Sequence, residues 1–248
     1  MRKAYNNRFF SLLIGFSLIL SVASCVDLGV ENISQSLNFF SQLKFVNLVP
    51  GSGTATITLD GTQIGTADLG SETPAAGQPF REVPAGSKTL IVDYSNGGSD
   101  TLRIVTETDF KMRIYIVGDS SGNSVVKSFQ RYIFQVKGSS SGQSLFPSDM
   151  TQIALFNASP DVTIDEVSIR RVSDNKDTTI TFEEPVAYKS GVPYIKIPAT
   201  ATADYQLFVV QGGVTLATIS FSAAPQNRYT AVIYDYSSDL KNTFFLDD

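Results

Sequence analysis

The sequence contains no histidine, no tryptophan and only one cysteine, Cys25. The absence of an imidazole base excludes Ser-His-Asp and Cys-His catalysis. A single thiol cannot form a disulfide within the chain, and without histidine or further cysteines the usual ligand sets of zinc, haem and iron–sulfur sites are missing. We therefore expect no enzyme activity and no catalytic, cofactor-binding or metal-binding residues.

Basic residues are also scarce once the first 24 residues are set aside. Three of the 19 lysines and arginines, Arg2, Lys3 and Arg8, fall within 1–24, which contains none of the 24 acidic residues. The remainder has 16 basic residues against 24 acidic ones, a net charge of −8. A chain this acidic lacks the positive surface that nucleic acid requires, so nucleic acid is not expected as a partner.

The position of Cys25 suggests a role for this lone thiol. Phe9 to Val22 is apolar apart from serine and glycine, which suits a signal-peptide core and is shorter than the roughly 20 residues of a membrane span. The stretch VASC (22–25) resembles the bacterial lipobox. This resemblance implies that 1–24 are a signal peptide and that cleavage leaves Cys25 as an acylated N-terminus, with palmitate among the acyl groups. The alternative is an ordinary secretory signal that ends near a cysteine.

The lipid would make the membrane the first partner and place the protein in the bacterial cell envelope. Val26 rather than Asp follows Cys25, which argues against retention in the inner membrane, so we expect the outer membrane. Asp27 and Glu31 form only a faint version of the acidic run that favours surface display, so the periplasmic and surface faces both stay open. Residues 25–41 are predicted to be the lipidated N-terminus and a tether.

The rest of the chain has the pattern of strands. Short runs rich in Val, Ile, Thr, Phe and Tyr alternate with clusters of Gly, Ser, Asn, Asp and Pro, which favours an all-β fold. The run QLKFVN (42–47) is repeated as QIALFN (152–157), and RIYIVGD (113–119) as YTAVIYD (229–235), at offsets of 110 and 116. These repeats predict two copies of one domain.

We interpret the copies as two tandem Ig-like β-sandwich domains, at 42–136 and 152–248, joined by a Gly/Ser-rich linker at 137–151. Asn96-Gly97-Gly98 and Gln211-Gly212-Gly213 are predicted to be hairpin turns that need positive φ. Alternation along the strands predicts the following core residues: Leu90, Val92 and Ile116 in the first domain, and Leu207, Val209, Val232 and Tyr234 in the second.

A family resemblance rests mainly on the second copy. The runs ALFNASPD (154–161) and VSI (167–169), an Ile-Pro-Ala corner (197–199) and TAVIYD (230–235) resemble the DUF4397 family. The first copy departs from the pattern, with LVPG (48–51) in place of Ala-Ser-Pro-Asp. The resemblance implies tandem Ig-like sandwiches of bacterial surface proteins and lipoproteins, and it implies no activity or catalytic residues.

Several polar stretches are candidate sites, each with a structural alternative. Asn157 to Asp161 is either a binding loop or a turn held by its own side chains, and we favour the turn. Asp174-Asn175-Lys176-Asp177 offers oxygen ligands, but the lysine and the lack of a matching bidentate glutamate favour a solvated hairpin tip over a calcium loop. Glu183 and Glu184 are adjacent on a strand and point to opposite faces, so they cannot flank one glycosidic bond.

Two threonines and the aromatic residues raise the question of glycans. Thr101 and Thr178 lie in Asp-Thr tripeptides of the kind that are O-glycosylated in some bacteria. The 17 phenylalanines and 10 tyrosines mostly fall within strand patterns, which favours core packing over a sugar-binding platform.

These observations lead to one functional expectation and two alternatives. We expect a lipid-anchored envelope protein that acts as a non-catalytic binding or scaffolding module, with an unknown envelope protein or glycan as partner. The first alternative is a glycan-binding accessory lipoprotein of a surface polysaccharide system, which requires exposed tyrosine or phenylalanine on a sheet face or loop. The second is an enzyme that uses carboxylates alone, which requires two inward-facing acids within about 10 Å of each other.

Overall fold

A computed structural model describes residues 39–108, 110–119, 122–131, 148–173 and 175–247. The predicted signal peptide, Cys25, most of the predicted tether, linker residues 137–147 and Asp174 lie outside the described residues. Within the described part, no helix has the length and apolar character needed to cross a membrane.

The described chain is built from 17 strands and one short 3₁₀ turn at Ser237–Asp239. The strands up to residue 131 are β1 (Phe40–Leu48), β2 (Ala55–Leu59), β3 (Thr62–Ala67), β4 (Glu72–Thr73), β5 (Arg81–Pro84), β6 (Gly86–Tyr94), β7 (Ser99–Thr106), β8 (Phe110–Asp119) and β9 (Gly122–Arg131). Those from residue 150 onward are β10 (Met150–Ala158), β11 (Ile164–Arg171), β12 (Lys176–Val186), β13 (Ser190–Pro198), β14 (Ala203–Gln211), β15 (Val214–Ala223), β16 (Arg228–Tyr234) and β17 (Lys241–Leu246).

The strands form four sheets, which we number in stacking order. Sheet I is β3-β2-β6-β7, sheet II is β4-β1-β8-β9 with β5 also paired to β1, sheet III is β13-β10-β16-β17 and sheet IV is β12-β11-β14-β15. Strands β1 and β8 are parallel, as are β10 and β16, and every other pair among the described strands is antiparallel. The predicted all-β sandwich fold is confirmed.

Each pair of sheets encloses an apolar core. The core between sheets I and II contains Leu90, Val92 and Ile116, as predicted. The core between sheets III and IV contains Leu207 and Val209, as predicted. In these strands alternate residues point to opposite faces, so the inward phase could be deduced from the sequence.

The prediction for Val232 and Tyr234 was wrong. Both are buried, but they lie in a third apolar cluster between sheets II and III, whereas Tyr229, Ala231 and Ile233 are the residues of β16 that face sheet IV. The physical reason is that β16 is covered on both faces. Its consecutive apolar residues therefore do not alternate with polar ones, and the sequence does not show which face is which.

The third cluster joins the two sandwiches. From sheet II it contains Val46, Leu48, Tyr115 and Val117, and from sheet III Phe156, Ala158, Val232, Tyr234 and Phe245. The Tyr115 and Phe156 rings stack at its centre with centroids 4.6 Å apart. Sheets I to IV therefore form a continuous four-layer stack, and the chain from Phe39 onward is one compact unit.

The two predicted hairpin turns are present. Gly97 has φ of 95° between β6 and β7, and Gly212 has φ of 57° between β14 and β15. Side chains stabilise both turns, since Gly98 N donates to Asn96 Oδ1 and Gly212 N donates to Asp165 Oδ2. Glycine is favoured at these positions because positive φ crowds a Cβ atom.

Two predicted boundaries need correction. Phe40 and Ser41 belong to β1, where they pair with Pro84 and Val83 of β5, so the tether is shorter than 25–41. Met150 and Thr151 belong to β10, so the linker ends before residue 150. Both boundaries were placed at the repeated motif, and the strands extend beyond it because neighbouring strands supply further pairing. The division into domains 42–136 and 152–248 stays a prediction, which the equivalent strand orders of the two halves favour.

A matched pair of valines tests the assignment of the core. Val209 on β14 is fully buried, whereas Val214 on β15 is 62% exposed. We expect Val209→Ala to lower the free energy of unfolding by about 2–3 kcal/mol, because two buried methyl groups are lost and a cavity remains. Val214→Ala should change it by less than about 0.5 kcal/mol. Urea denaturation measures both, and equal losses would contradict the assignment.

Candidate functional site

A cluster of charged side chains lies within the interface between sheets II and III, beside the apolar residues. Lys44 on β1 and Arg113 on β8 point to the same side of sheet II as Val46 and Tyr115, because side chains alternate along a strand. Glu72 on β4 pairs with Val46 at the edge of this sheet. The second half contributes Asp247, which directly follows β17.

Arg113 is the centre of the cluster and is bonded to both halves. Its Nε donates to Glu72 Oε2 at 3.1 Å, its Nη1 donates to Asp247 Oδ1, and its Nη2 donates to the Leu246 carbonyl at 3.0 Å. The side chains of Arg113, Glu72 and Asp247 are 3%, 5% and 2% exposed. Burial opposes the charge of Arg113, but the negative charges of Asp247 and Glu72 raise its pKa above the ordinary value.

Further donors complete the coordination of the two carboxylates. Lys44 Nζ donates to Glu72 Oε1 at 2.5 Å and to the Ala75 carbonyl at 3.1 Å. Asp247 Oδ2 accepts from Thr230 Oγ1 at 2.6 Å and from Tyr194 Oη at 3.0 Å. Burial raises the pKa of Asp247 above that of an ordinary aspartate, against the opposing effects of Arg113, Thr230 and Tyr194.

Aromatic rings cover the cations of the cluster. Phe80 lies 5.2 Å from Lys44 Nζ and 4.5 Å from Lys111 Nζ, both measured to the ring centroid. Phe245 lies 4.8 Å from the Arg113 guanidinium carbon. The electron-rich faces of these rings favour nearby positive charge. Together with the carboxylates they stabilise cations that would otherwise be buried at a high cost in solvation.

Glu72 and Asp247 meet the distance condition for carboxylate catalysis but not its other requirements. One guanidinium bridges them, so they lie within the roughly 10 Å that a pair of acids on a glycosidic bond would need. However, both are almost fully buried, and each carboxylate already accepts hydrogen bonds from cations of the protein. The arrangement leaves no space for a substrate between them, and its chemistry is that of a structural ion-pair network.

The loop from Asn157 to Asp161 is structural, as favoured from the sequence. The fully buried Asn157 side chain donates to the carbonyls of Val162 at 2.8 Å and Val186 at 2.9 Å, and it accepts from Ser159 N at 3.0 Å. Asp161 accepts from Ser237 Oγ at 2.6 Å and from Ser237 N at 2.8 Å. Burial opposes ionisation of Asp161, but the hydrogen bonds from Ser237 lower its pKa.

The first copy keeps the same asparagine although the motif around it differs. Asn47 is fully buried, and its Nδ2 donates to Ser52 Oγ and to the Gly53 carbonyl, each at 3.0 Å. Its Oδ1 accepts from Val49 N at 3.3 Å. Asn47 and Asn157 therefore have the same role, which is to hold the chain that leaves the first strand of each sandwich.

Asp177, at one end of the predicted hairpin tip, forms an ion pair. Asp177 accepts from Arg170 Nε at 2.6 Å and from Arg170 Nη2 at 2.8 Å, and this bonding lowers the pKa of Asp177. Within the part of the chain that the structure describes, no group of three or more His, Cys, Asp and Glu side chains is placed to hold a metal ion.

The remaining candidates are all on the surface. Glu183 and Glu184 are exposed on β12 just before Pro185, as expected for a solvated strand end. Thr101 and Thr178 are exposed on β7 and β12, and their glycosylation stays a prediction.

The aromatic residues do not form a shared exposed platform. Among the side chains that the structure describes, Phe39 and Tyr236 are the exposed aromatic ones, at 53% and 37%. Phe39 precedes β1 and Tyr236 follows β16. Arg113 near the start of β8 bonds to Leu246, which pairs with Tyr229 at the start of β16, and Gly70, bonded to Asn47 near the end of β1, lies against Tyr234 at the end of β16. Strands β1, β8 and β16 therefore run in the same direction, and the two rings lie at opposite ends of the stack. This placement does not favour the glycan-binding alternative.

In comparisons with known proteins, no family model matches the chain and no curated protein is significantly similar to it. The resemblance to the DUF4397 family therefore stays an expectation drawn from the residues quoted above.

The charged cluster was missed in the sequence. Lys44 and Arg113 are charged residues within largely apolar strands, and such residues ordinarily indicate a solvent-facing phase. Asp247 is separated from Arg113 by 134 positions. The one available signal was the apolar character of both phases of β1, β8 and β16, which indicates strands covered on both faces.

Proposed function

We propose that the protein is a lipid-anchored component of the bacterial cell envelope that acts as a non-catalytic binding or scaffolding module. The observation that carries this proposal is the structural use of the buried cluster of ionisable groups between sheets II and III. Arg113, Glu72 and Asp247 are buried and bonded to one another, so they hold sheets II and III together. A chain whose buried charges serve its architecture is suited to a structural role.

The anchor in this proposal is supported by the N-terminal sequence. The basic start, the apolar run and the VASC stretch (22–25) occur in the order that lipoprotein export requires. A single acyl chain binds a membrane only weakly, whereas two or three chains on Cys25 would hold the protein there permanently.

The four-layer stack is suited to presenting a surface at a fixed distance from the anchor. Stacked sheets lie about 10 Å apart, so four of them form a body roughly 30 Å deep between its outer backbones. The interface between sheets II and III contains both a large apolar cluster and the charged network. The two sandwiches should therefore move as one body.

Labelling and fractionation of cells test the anchored role. The wild-type protein should incorporate a labelled fatty acid and sediment with the outer-membrane fraction. Protease added to intact cells then distinguishes the two faces, because only a surface-displayed protein is degraded. A protein that is unlabelled and soluble would contradict the proposal.

A further inference from the structure

The edge strands of the four sheets differ in how well they are protected against pairing with another chain. An edge strand presents backbone groups that lack a partner, and proteins ordinarily protect such a strand with charge, proline or short length. The edge strands that contain a charged residue or a proline are β4, β5, β7, β9, β12, β13 and β17. Strand β3 contains neither, but it has six residues and is interrupted by Gly65.

Strand β15 is the exception among the described edge strands. It has ten residues, VTLATISFSA, with no charge, proline or glycine. It pairs with β14 on one side, and no other strand of the described chain pairs with it. Part of the backbone N–H and C=O groups of an edge strand point away from its one neighbour. The open side of β15 therefore has the chemistry to bind one more extended chain.

The regular part of β15 has two distinct faces. Its pairing with β14 is continuous from Ala217 to Ala223, because the register shift lies before Ala217. The residues that face the core between sheets III and IV are Ala217, Ile219, Phe221 and Ala223. The residues exposed on the outer face of sheet IV are Thr218, Ser220 and Ser222. One face is apolar, and the other carries only hydroxyl groups.

This stretch of β15 is complementary to itself. If two copies pair antiparallel about a two-fold axis at Ser220, residues equally far from Ser220 lie opposite each other and share a face of the sheet. The opposed pairs are then Ala217 with Ala223, Thr218 with Ser222, Ile219 with Phe221 and Ser220 with itself. Large apolar residues meet each other, and so do alanines and hydroxyls. Moving the axis to any other residue from 218 to 222 places an alanine opposite Ile219 or Phe221.

An exposed apolar side chain lies along the same edge of the second sandwich. Leu246, on edge strand β17 of sheet III, is 49% exposed. It pairs with Tyr229, whose hydroxyl accepts from Ala224 N just after β15 at 3.0 Å. Strand β17 packs beneath β15, where the rings of Phe244 and Phe221 stack with centroids 4.4 Å apart. Leu246 therefore lies beside the end of β15, where a second copy paired through β15 would shield it from water.

Charge also favours this edge for contact between copies. The chain after residue 24 has a net charge of −8, so two copies repel each other over much of their surface. Strand β15 contributes no charge to that repulsion. A peptide from another protein could satisfy the same backbone groups, but the matched pairs within β15 favour a second copy.

We propose that two copies of the protein pair through β15, antiparallel and about a two-fold axis at Ser220. The four-stranded sheet IV of each copy then joins into one continuous sheet, and both copies use the same surface, as a two-fold interface requires. The axis is perpendicular to sheet IV, so both copies present sheet I in the same direction. This inference goes beyond the proposed scaffolding role and does not depend on the lipid anchor.

Single cysteines test the position of the axis. Ser220→Cys would place two thiols opposite each other, with Cβ atoms about 4.5–5.5 Å apart, which is near the separation in a disulfide. We would express the full chain, oxidise the cell membranes and soluble fraction with copper phenanthroline, and compare masses on non-reducing gels. The Ser220→Cys protein should shift from the monomer to the dimer mass, and a reductant should reverse the shift.

Thr179→Cys is the matched control for this variant. Thr179 is another exposed hydroxyl residue on the outer face of sheet IV, but it lies on the opposite edge strand, β12. The Thr179→Cys protein should stay at the monomer mass. The wild type measures any linkage through Cys25, so a free thiol at the predicted anchor is recognised separately.

Two further cysteines test the register. Thr218→Cys alone should not link, because its two thiols would be four residues apart along the strands, at least about 13 Å. The same is expected of Ser222→Cys alone. Co-expression of the two variants should give a linked dimer, because Thr218 and Ser222 are opposed. Equal linkage at Ser220→Cys and Thr179→Cys, or linkage of Ser220→Cys to a protein of different mass, would overturn the proposal.

The mass of the protein in detergent gives an independent measurement. Light scattering after size exclusion should show a dimer for the wild type and a monomer for Ser220→Lys, because two ammonium groups would meet on the axis and lysine protects an edge. Thr179→Lys should keep the dimer mass. A monomeric wild type, or a Ser220→Lys protein that remains dimeric, would contradict pairing through β15.

Discussion

Replacing Arg113 with alanine should lower the free energy of unfolding by about 3–5 kcal/mol, because breaking a buried ion pair leaves its partners without compensation. Glu72 would keep only Lys44 as a cationic partner, and Asp247 would keep only the hydroxyls of Thr230 and Tyr194. Both carboxylates are at most 5% exposed, so water cannot replace the lost guanidinium without opening the interface. Urea denaturation followed by circular dichroism measures the loss.

Arg103→Ala is the control for this experiment. Arg103 is an exposed arginine on β7, at the edge of sheet I, and its replacement should cost less than about 0.5 kcal/mol. A double-mutant cycle with Asp247→Ala isolates the contact between the two halves. The double variant should lose much less free energy of unfolding than the two single variants do together, because the effects of substitutions within one network are not additive. Additive losses would show that Arg113 and Asp247 do not act together.

Cys25→Ala should remove the protein from the membrane fraction. The thiol is the only group in the chain to which a thioether-linked lipid could be attached, because Cys25 is the only cysteine. Two or three acyl chains hold a protein at a membrane far more firmly than one, so the loss of all of them should release it. We therefore expect loss of labelled fatty acid and a shift to the soluble fraction, measured by sedimentation of lysed cells.

Ser17→Ala is the matched control for the anchor. Ser17 lies in the apolar run, and its replacement keeps both the run and the VASC stretch intact. This variant should be acylated and should sediment like the wild type. A Cys25→Ala protein that still sediments fully with membranes, together with an unlabelled wild type, would exclude the lipobox interpretation.

Much of the fold could be predicted because its signals are local. Alternation along β6 and β14 identified Leu90, Val92, Leu207 and Val209 as core residues, since one face of each strand is apolar and the other is polar. Glycines between apolar runs marked the hairpin turns. Asn157 was recognised as a turn residue, although the extent of its burial was not, and the equivalent role of Asn47 was not predicted.

The candidate site could not be predicted in the same way. Lys44, Glu72, Arg113 and Asp247 have no shared spacing, and no short motif indicates that they meet. Tyr234 and Val232 were placed in the wrong core for a related reason, because a strand that is apolar on both phases does not say which neighbour each phase contacts.

The sequence by itself determined the chemistry that the protein lacks, the strand pattern, the turns and the expectation of an anchor at Cys25. These properties depend on composition or on residues close together in the chain. Only the tertiary structure decided that sheets II and III face each other, and hence that Arg113 meets Asp247 across 134 positions. The reason is physical: the free energy of burying these surfaces depends on which faces come together, and local periodicity specifies a face but not its partner.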